Sequence, residues 1–515
     1  MTDAIVLAVV VPIFGAMISL IAGLRFERSG WTVAALTCLA QLGAALVILF
    51  TVVQDGKQRY ELAGFSPPAG IELVADGISA LVMLLVATVS LAVVVYARQA
   101  GPRGNAFYTL YLLLAGGLAG VTLTGDIFNM YVFLEITGLA AYALVASGDS
   151  TKSAVAGLKY LILGTIGASL FLLGVGYAYV ATGTLNMVDL SEQLAAAGYS
   201  SRLVLGAFGL LVTGLLVKVA LFPVHTWQPG AYSNAPDSVS VYISALVSTV
   251  AAYAVARVLY TVFTPDFFAA NPIAQTVLVY AAAVSIIAGS VLAVLQRDLK
   301  RMLAYSSVSQ FGMVVAGFAL LSQSAAVGGV IHLIGHAVLK GGLFAAVGVV
   351  AMQTGARSID EYAGLASRAP LSAGLVAVLG LSLVGVPPSV GFVGKFYIAV
   401  GAVETGNWPI AAVIFVSTVL TLAYFARIIE RMYFAQPAAD PSAEGTVAVD
   451  GGEGVSADGG EDIQGDGGED TAHAGTVSPE MIGVVVVAAV AAVTLGFAGS
   501  AIESFLEPTL VEVFG

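Results

Sequence analysis

The stretch IFNMYVFLEITGLAAYALVA, Ile127 to Ala146, is long and apolar enough to cross a bilayer, and it carries a carboxylate, Glu135, near its centre. About 20 apolar residues at about 1.5 Å rise span the ~30 Å hydrocarbon core. An acid at that depth costs about 2.5–3.5 kcal/mol on insertion scales, so it marks function by default. Lys218, Lys340 and Lys395 lie inside other apolar stretches, and His332 and His336 share one with Lys340. A membrane chain with one buried acid and several buried bases points to the movement of protons or ions.

The remaining sequence agrees. Of 515 residues 58% are hydrophobic and 10% charged, with mean hydropathy +0.94, the composition of an all-α polytopic membrane protein. Met1-Thr2-Asp3 lacks the basic region of a signal peptide, so the first apolar run is expected to stay as a helix. The single cysteine, Cys38, excludes an intrachain disulfide and a cysteine-cluster metal or iron–sulfur site. No glycine-rich nucleotide loop, Walker motif or zinc-ligand spacing is present, which argues against ATP-driven pumping by this chain. No cofactor, metal or nucleic-acid partner is expected, and transport rather than a chemical conversion is the expected activity. The net charge of −12 is mostly local: ten acids fall between Asp440 and Asp470, and no Lys or Arg follows Arg431. Rich in glycine and acid, residues 436–479 are expected to form a solvated, disordered loop.

Apolar runs against polar breaks give about fourteen spans, near 4–24, 31–53, 73–97, 105–124, 127–146, 153–181, 203–224, 238–262, 272–295, 301–321, 325–352, 370–400, 408–434 and 480–500. Connections after odd-numbered spans, with adjoining span ends, hold twelve Lys and Arg residues; those after even-numbered spans hold only Lys57, Arg59 and Arg202. By the positive-inside rule the odd connections and the acidic loop are cytoplasmic and both termini are outside the cell membrane.

Two spans are interrupted by proline. The seventh reads Val217-Lys218-Val219-Ala220-Leu221-Phe222-Pro223, then His225, Trp227 and Pro229; the twelfth reads Gly385-Val386-Pro387-Pro388-Ser389, then Gly391, Gly394 and Lys395. Proline removes one N–H and frees the carbonyl four residues back, tolerable at depth only where other groups satisfy it. Paired breaks in two halves point to an inverted-repeat transporter with its site at the breaks. The expected division is 1–104 for three N-terminal spans, 105–262 and 263–435 for two inverted five-helix repeats, 436–479 for the acidic loop and 480–515 for the last span.

The combination of Gly125-Asp126-Ile127-Phe128-Asn129 with Phe133-Leu134-Glu135, Gly183-Thr184-Leu185-Asn186-Met187, Lys218 with Leu221-Phe222-Pro223-Val224-His225-Thr226-Trp227, and Gly385-Val386-Pro387-Pro388 with Gly391-Phe392-Val393-Gly394-Lys395 resembles the antiporter-like subunits. These occur in respiratory complex I, membrane-bound hydrogenases and Mrp-type cation/proton antiporters, and within the family the resemblance is closest to the D-type member of the Mrp antiporter. It covers roughly residues 70–435. The resemblance implies a proton path over Glu135 on the fifth helix, Lys218 on the broken seventh, His332, His336 and Lys340 between the halves, and Lys395 on the broken twelfth. It further implies partner membrane subunits in the lipid bilayer, with sodium as the cation exchanged for protons. Thr249 stands where the family usually has a helix-eight lysine, and Lys395 separates the chain from relatives with glutamate there.

Desolvation disfavours a charged lysine and a nearby carboxylate favours it. A changing separation between Glu135 and Lys218 would therefore make Lys218 hold or release a proton. The competing reading is an ion pair that only fixes helix register. His332, His336 and Lys340 follow a four-residue step and stack along one helix face over about 12 Å; neutral histidine can donate and accept at once, which suits a proton wire. His225 reads equally as a mouth residue or a structural one. Lys159 reads first as a lysine reaching to the interface, second as a channel residue. Arg257, Asp76 and Asp126 read as structural, the two acids at helix N-termini. Rival readings are the matching subunit of a quinone-linked complex or hydrogenase, and a non-conducting scaffold.

Overall fold

The computed structural model describes residues 3–436 and 477–514, so the acidic stretch Asp440–Asp470 lies outside the described residues. Lipid offers backbone N–H and C=O groups no partners, so the apolar runs close their hydrogen bonds internally as helices. Thirteen helices among the described residues are long and apolar enough to cross a membrane. The remaining span is the broken twelfth, Pro370–Val384 followed by Val390–Glu404. A set of five spans is odd in number, so spans nine to thirteen start from the membrane face opposite to that of spans four to eight.

Several elements differ from the sequence-based expectation. The second connection holds an antiparallel hairpin, Gln58–Glu61 with Glu72–Ala75, so span three starts at Gly77 rather than 73. The sixth connection holds an amphipathic helix, Met187–Ala197, started by the Asn186 side chain accepting from Val188 and Asp189 N–H. Span eight runs from Asp237 to Ala270 and contains two π-helical stretches, Ile243–Val247 and Val258–Phe263. The last span bends at a 3₁₀ turn, Leu495–Ala498, and continues to Phe514.

At both breaks side chains bond to the backbone around the interruption. In span seven the helix Arg202–Val219 ends on Ala220 in the left-handed region at φ 67°, at about 1–2 kcal/mol for a residue with a Cβ. In its last turn the Val217 carbonyl accepts from Trp227 Nε1 at 2.9 Å as well as from Ala220 N–H, and Phe222 N–H donates to Ser285 Oγ at 3.1 Å. The helix resumes at Gln228–Asn234. In span twelve Gly385, at φ 98°, closes the first half, where only glycine is free of strain. Each break contains a cis peptide bond before a proline, Pro223 and Pro388.

Glycines bring the helices around the breaks into backbone contact. A Cβ on Gly214 would lie 2.6 Å from the Gly167 carbonyl oxygen, joining spans six and seven. A Cβ on Gly394 would lie 2.8 Å from His332 Cα, joining spans eleven and twelve. The bend of the last span lies across the second break: a Cβ on Gly496 would come within 2.0 Å of the Pro388 oxygen.

Candidate functional site

Span five presents Glu135 to the last turn of the first half of span seven, where Lys218 Nζ donates to Glu135 Oε1 at 2.7 Å and lies 3.5 Å from the Leu134 oxygen. The two side chains are 22% and 10% exposed. Gly138, one turn beyond Glu135, leaves the space: a Cβ there would meet Tyr142 Oη at 2.8 Å and Lys218 Nζ at 3.3 Å. Tyr142 thus belongs to the lysine's surroundings. Its spacing from Glu135, two helical turns, was the available signal, but tyrosine in an apolar run carries too little cost to stand out.

Inward from the pair, a set of polar side chains gathers behind the break. Ser248 Oγ donates to the Lys218 carbonyl at 3.4 Å, Gln228 Nε2 donates to Ser248 Oγ at 3.3 Å and to Tyr232 Oη at 3.1 Å, and all three residues are buried. His225 packs between the rings of Phe222 and Tyr305, and its Nδ1 has no partner among the described residues. Thr249 occupies the expected place on span eight, but its hydroxyl donates back to the Ala245 carbonyl of its own helix at 2.7 Å. Its neighbour Ser248 makes the contact with span seven.

The stripe on span eleven is wholly buried, with His332, His336 and Lys340 each at most 1% exposed. His332 Nε2 is 2.9 Å from Gln310 Oε1. His336 lies against Phe311, and neither ring nitrogen has a partner among the described residues. Lys340 donates to the Leu303 carbonyl at 2.8 Å and to Ser306 Oγ. Lys395 follows Gly394, which packs on the His332 backbone, and donates to the Leu383 and Val384 carbonyls at 2.9 and 2.8 Å. Those carbonyls are the ones that the second break frees. Among the described residues neither Lys340 nor Lys395 is in an ion pair, in contrast to Lys218.

Other residues fall elsewhere. Lys159 is exposed near Lys152 and Arg301, as suits a lysine at the interface. Asp126 caps span five by accepting from Asn129 N–H at 2.7 Å. Asp76 caps span three and also pairs with Arg257 at 2.5 Å. Arg257 Nε donates to Tyr253 Oη, and Tyr253 donates to the Thr122 carbonyl at 2.7 Å. These groups border a cavity of about 180 Å³ that Lys57 and Glu512 also line. No group of three or more His, Cys, Asp or Glu among the described residues could hold a metal ion.

Residues 124–421 match the family described as NADH:quinone oxidoreductase/Mrp antiporter, TM. Over 448 residues, 84% of this chain and 88% of the relative, the sequence is 43% identical to the N-type subunit of NADH-quinone oxidoreductase from Desulforudis audaxviator. Over 447 residues, 86% of this chain and 89% of the relative, it is 31% identical to the D-type subunit of the Na(+)/H(+) antiporter from Bacillus subtilis. A chain in the structure of the Mrp complex from Dietzia superposes with a TM-score of 0.85 at 27% identity, covering 100% of this chain and 98% of that one. The structure of an archaeal membrane-bound sulfane sulfur reductase contains a chain with the same score and coverage at 29% identity. Relatives thus come from both antiporters and respiratory complexes, and they do not carry the preference for the D-type antiporter member. Two breaks backed by lysines, a partly buried acid–lysine pair and a matched region of more than half the sequence place this chain in the NADH:quinone oxidoreductase/Mrp antiporter transmembrane family.

Proposed function

We propose that this chain is the proton-translocating membrane subunit of a multisubunit cation/proton antiporter, exchanging sodium. In this reading Glu135, Lys218, His332, His336, Lys340 and Lys395 carry the protons, and residues 105–262 and 263–435 form the two halves of the path. The observation that carries the reading is the 2.7 Å contact between Glu135 and Lys218 at a proline break inside apolar spans. With Glu135 close, Lys218 holds its proton; drawn away, it is a desolvated ammonium and gives the proton up. The break supplies the freedom to move, since its helix ends one residue past Lys218. Ser248, Gln228 and Tyr232 stand at the junction in place of a helix-eight lysine. The stripe on span eleven leads to Lys395, which rests on two carbonyls and so needs no counter-charge to stay in place. The protein sits in the plasma membrane, with both termini outside and partner membrane subunits beside it.

The 43% identity to the N-type subunit of an NADH-quinone oxidoreductase favours a second reading, in which redox energy drives the same path. Everted vesicles containing the assembly decide. Antiport predicts that added sodium collapses a preformed pH gradient; the respiratory reading predicts acidification on reduced-cofactor and quinone addition, with no sodium response. Flux that persists unchanged in Glu135→Gln would leave the chain as a scaffold and refute both.

A further inference from the structure

The four-residue step of His332, His336 and Lys340 continues through Phe344 to Gly348, about 12 Å beyond Lys340 at 1.5 Å per residue. Span eight begins at that point. A Cβ on Gly348 would lie 3.3 Å from Asp237 Cβ and 3.5 Å from its Cγ. The Asp237 carboxylate pairs with Lys300 and lies 3.6 Å from Arg357 Nη1. Asp237 and Lys300 side chains are 14% and 7% exposed, and Arg357 is 60% exposed, so the cluster runs from the surface to the end of the stripe. Lys300 also donates to the Ala235 carbonyl and to Ser240 Oγ, each at 3.2 Å. On span ten, Leu303 and Ser306 stand about one and two turns beyond Lys300, and both accept from Lys340. The four elements meet on the face of the odd-numbered connections. The Asp237–Lys300 pair has no part in the path from Glu135 to Lys395.

We propose that Asp237 is the proton-uptake carboxylate of the second half, taking protons from the face of the odd-numbered connections and passing them to Lys340. This rests on the reading of the chain as proton-translocating. One proton from the aqueous side binds the Asp237 carboxylate, the neutral acid releases it into a hydrogen-bonded chain of water that ends on Ser306, whose hydroxyl contacts the Lys340 amine, and the carboxylate returns to its two cations. While Asp237 is neutral, Lys300 keeps two acceptors, Ala235 and Ser240, and is not left as an orphaned buried charge. Arg357 remains charged throughout and draws the carboxylate toward the surface, where it meets the incoming proton.

The alternative is a structural pair that ties span eight to span ten. Removing Asp237 alone leaves Lys300 with acceptors but no counter-charge, whereas removing both leaves no lysine charge to compensate, so the double variant separates the two. Wild type, Glu135→Gln, Asp237→Asn and Asp237→Asn/Lys300→Gln are compared as complete assemblies in everted vesicles, with flux per assembled complex as the readout. Asp237→Asn is expected to lower flux at least tenfold, and the double variant is expected to assemble like wild type and still lack flux. Wild-type flux in either Asp237 variant overturns the proposal while leaving proton translocation standing. Absent flux in wild type, or wild-type flux in Glu135→Gln, overturns the underlying reading instead.

Discussion

At the residue scale, the proposed function rests most heavily on one ammonium–carboxylate contact. Glu135→Gln preserves shape but removes the charge that holds the Lys218 proton, so flux per assembled complex should collapse while folded protein is retained. Glu135→Asp, one methylene shorter, should keep part of it. A pair that only fixes register gives the opposite outcome: poor assembly, then normal flux in whatever assembles. At Lys395, alanine should abolish cation-dependent flux, and arginine should abolish it too because it does not release its proton; wild-type flux in Lys395→Arg removes the residue from the path. These residues were legible because charge in a long apolar run is costly enough to stand out. Asp237 and Lys300 were not. Both lie at span ends, where acids and bases are common, and only a contact between residues 63 positions apart (300 − 237) distinguishes them from a cap and an interfacial lysine. Ser248, Gln228 and Tyr232 escaped notice because neutral polar side chains cost little to bury once hydrogen-bonded.

At the scale of the element, the breaks were readable because each joins proline to a lysine in one apolar run; proline alone is not enough, since Pro12 and Pro508 lie inside continuous helices. The hairpin, the amphipathic helix Met187–Ala197 and the π-helical stretches of span eight were not. The hairpin's strands are four residues each, too short for alternation to show, and a π turn changes the hydrogen-bond register without any required residue. Close packing beside the breaks can be tested separately. Gly394→Leu forces a side chain into the backbone of His332, and overpacking of this kind costs about 1–3 kcal/mol. A clear fall in the thermal midpoint of the detergent-solubilised assembly is expected. Gly176→Leu, on an exposed face with no atom within 4 Å of its Cβ position, should leave the midpoint unchanged.

At the scale of the whole molecule, the twelve-to-three distribution of Lys and Arg predicts an orientation that labelling can check. A tag inserted at Gly454 should be labelled only from the cytoplasm and one at the C-terminus only from outside; labelling of both from one side overturns the orientation. The bend that covers the second break has a further consequence, in time rather than space. Gly496 follows Pro388 by 108 residues (496 − 388), roughly 5–20 s of synthesis at about 5–20 residues per second. Throughout that interval the Pro388–Ser389 turn lacks the segment that packs on it. A chain stalled on the ribosome before residue 479 should therefore leave a cysteine placed at Ser389, the residue against which Gly496 packs, open to thiol-directed labelling, and completion of the Leu495–Ala498 bend should close it. In biogenesis the bend would then act as a latch that arrives well after the break on which it packs.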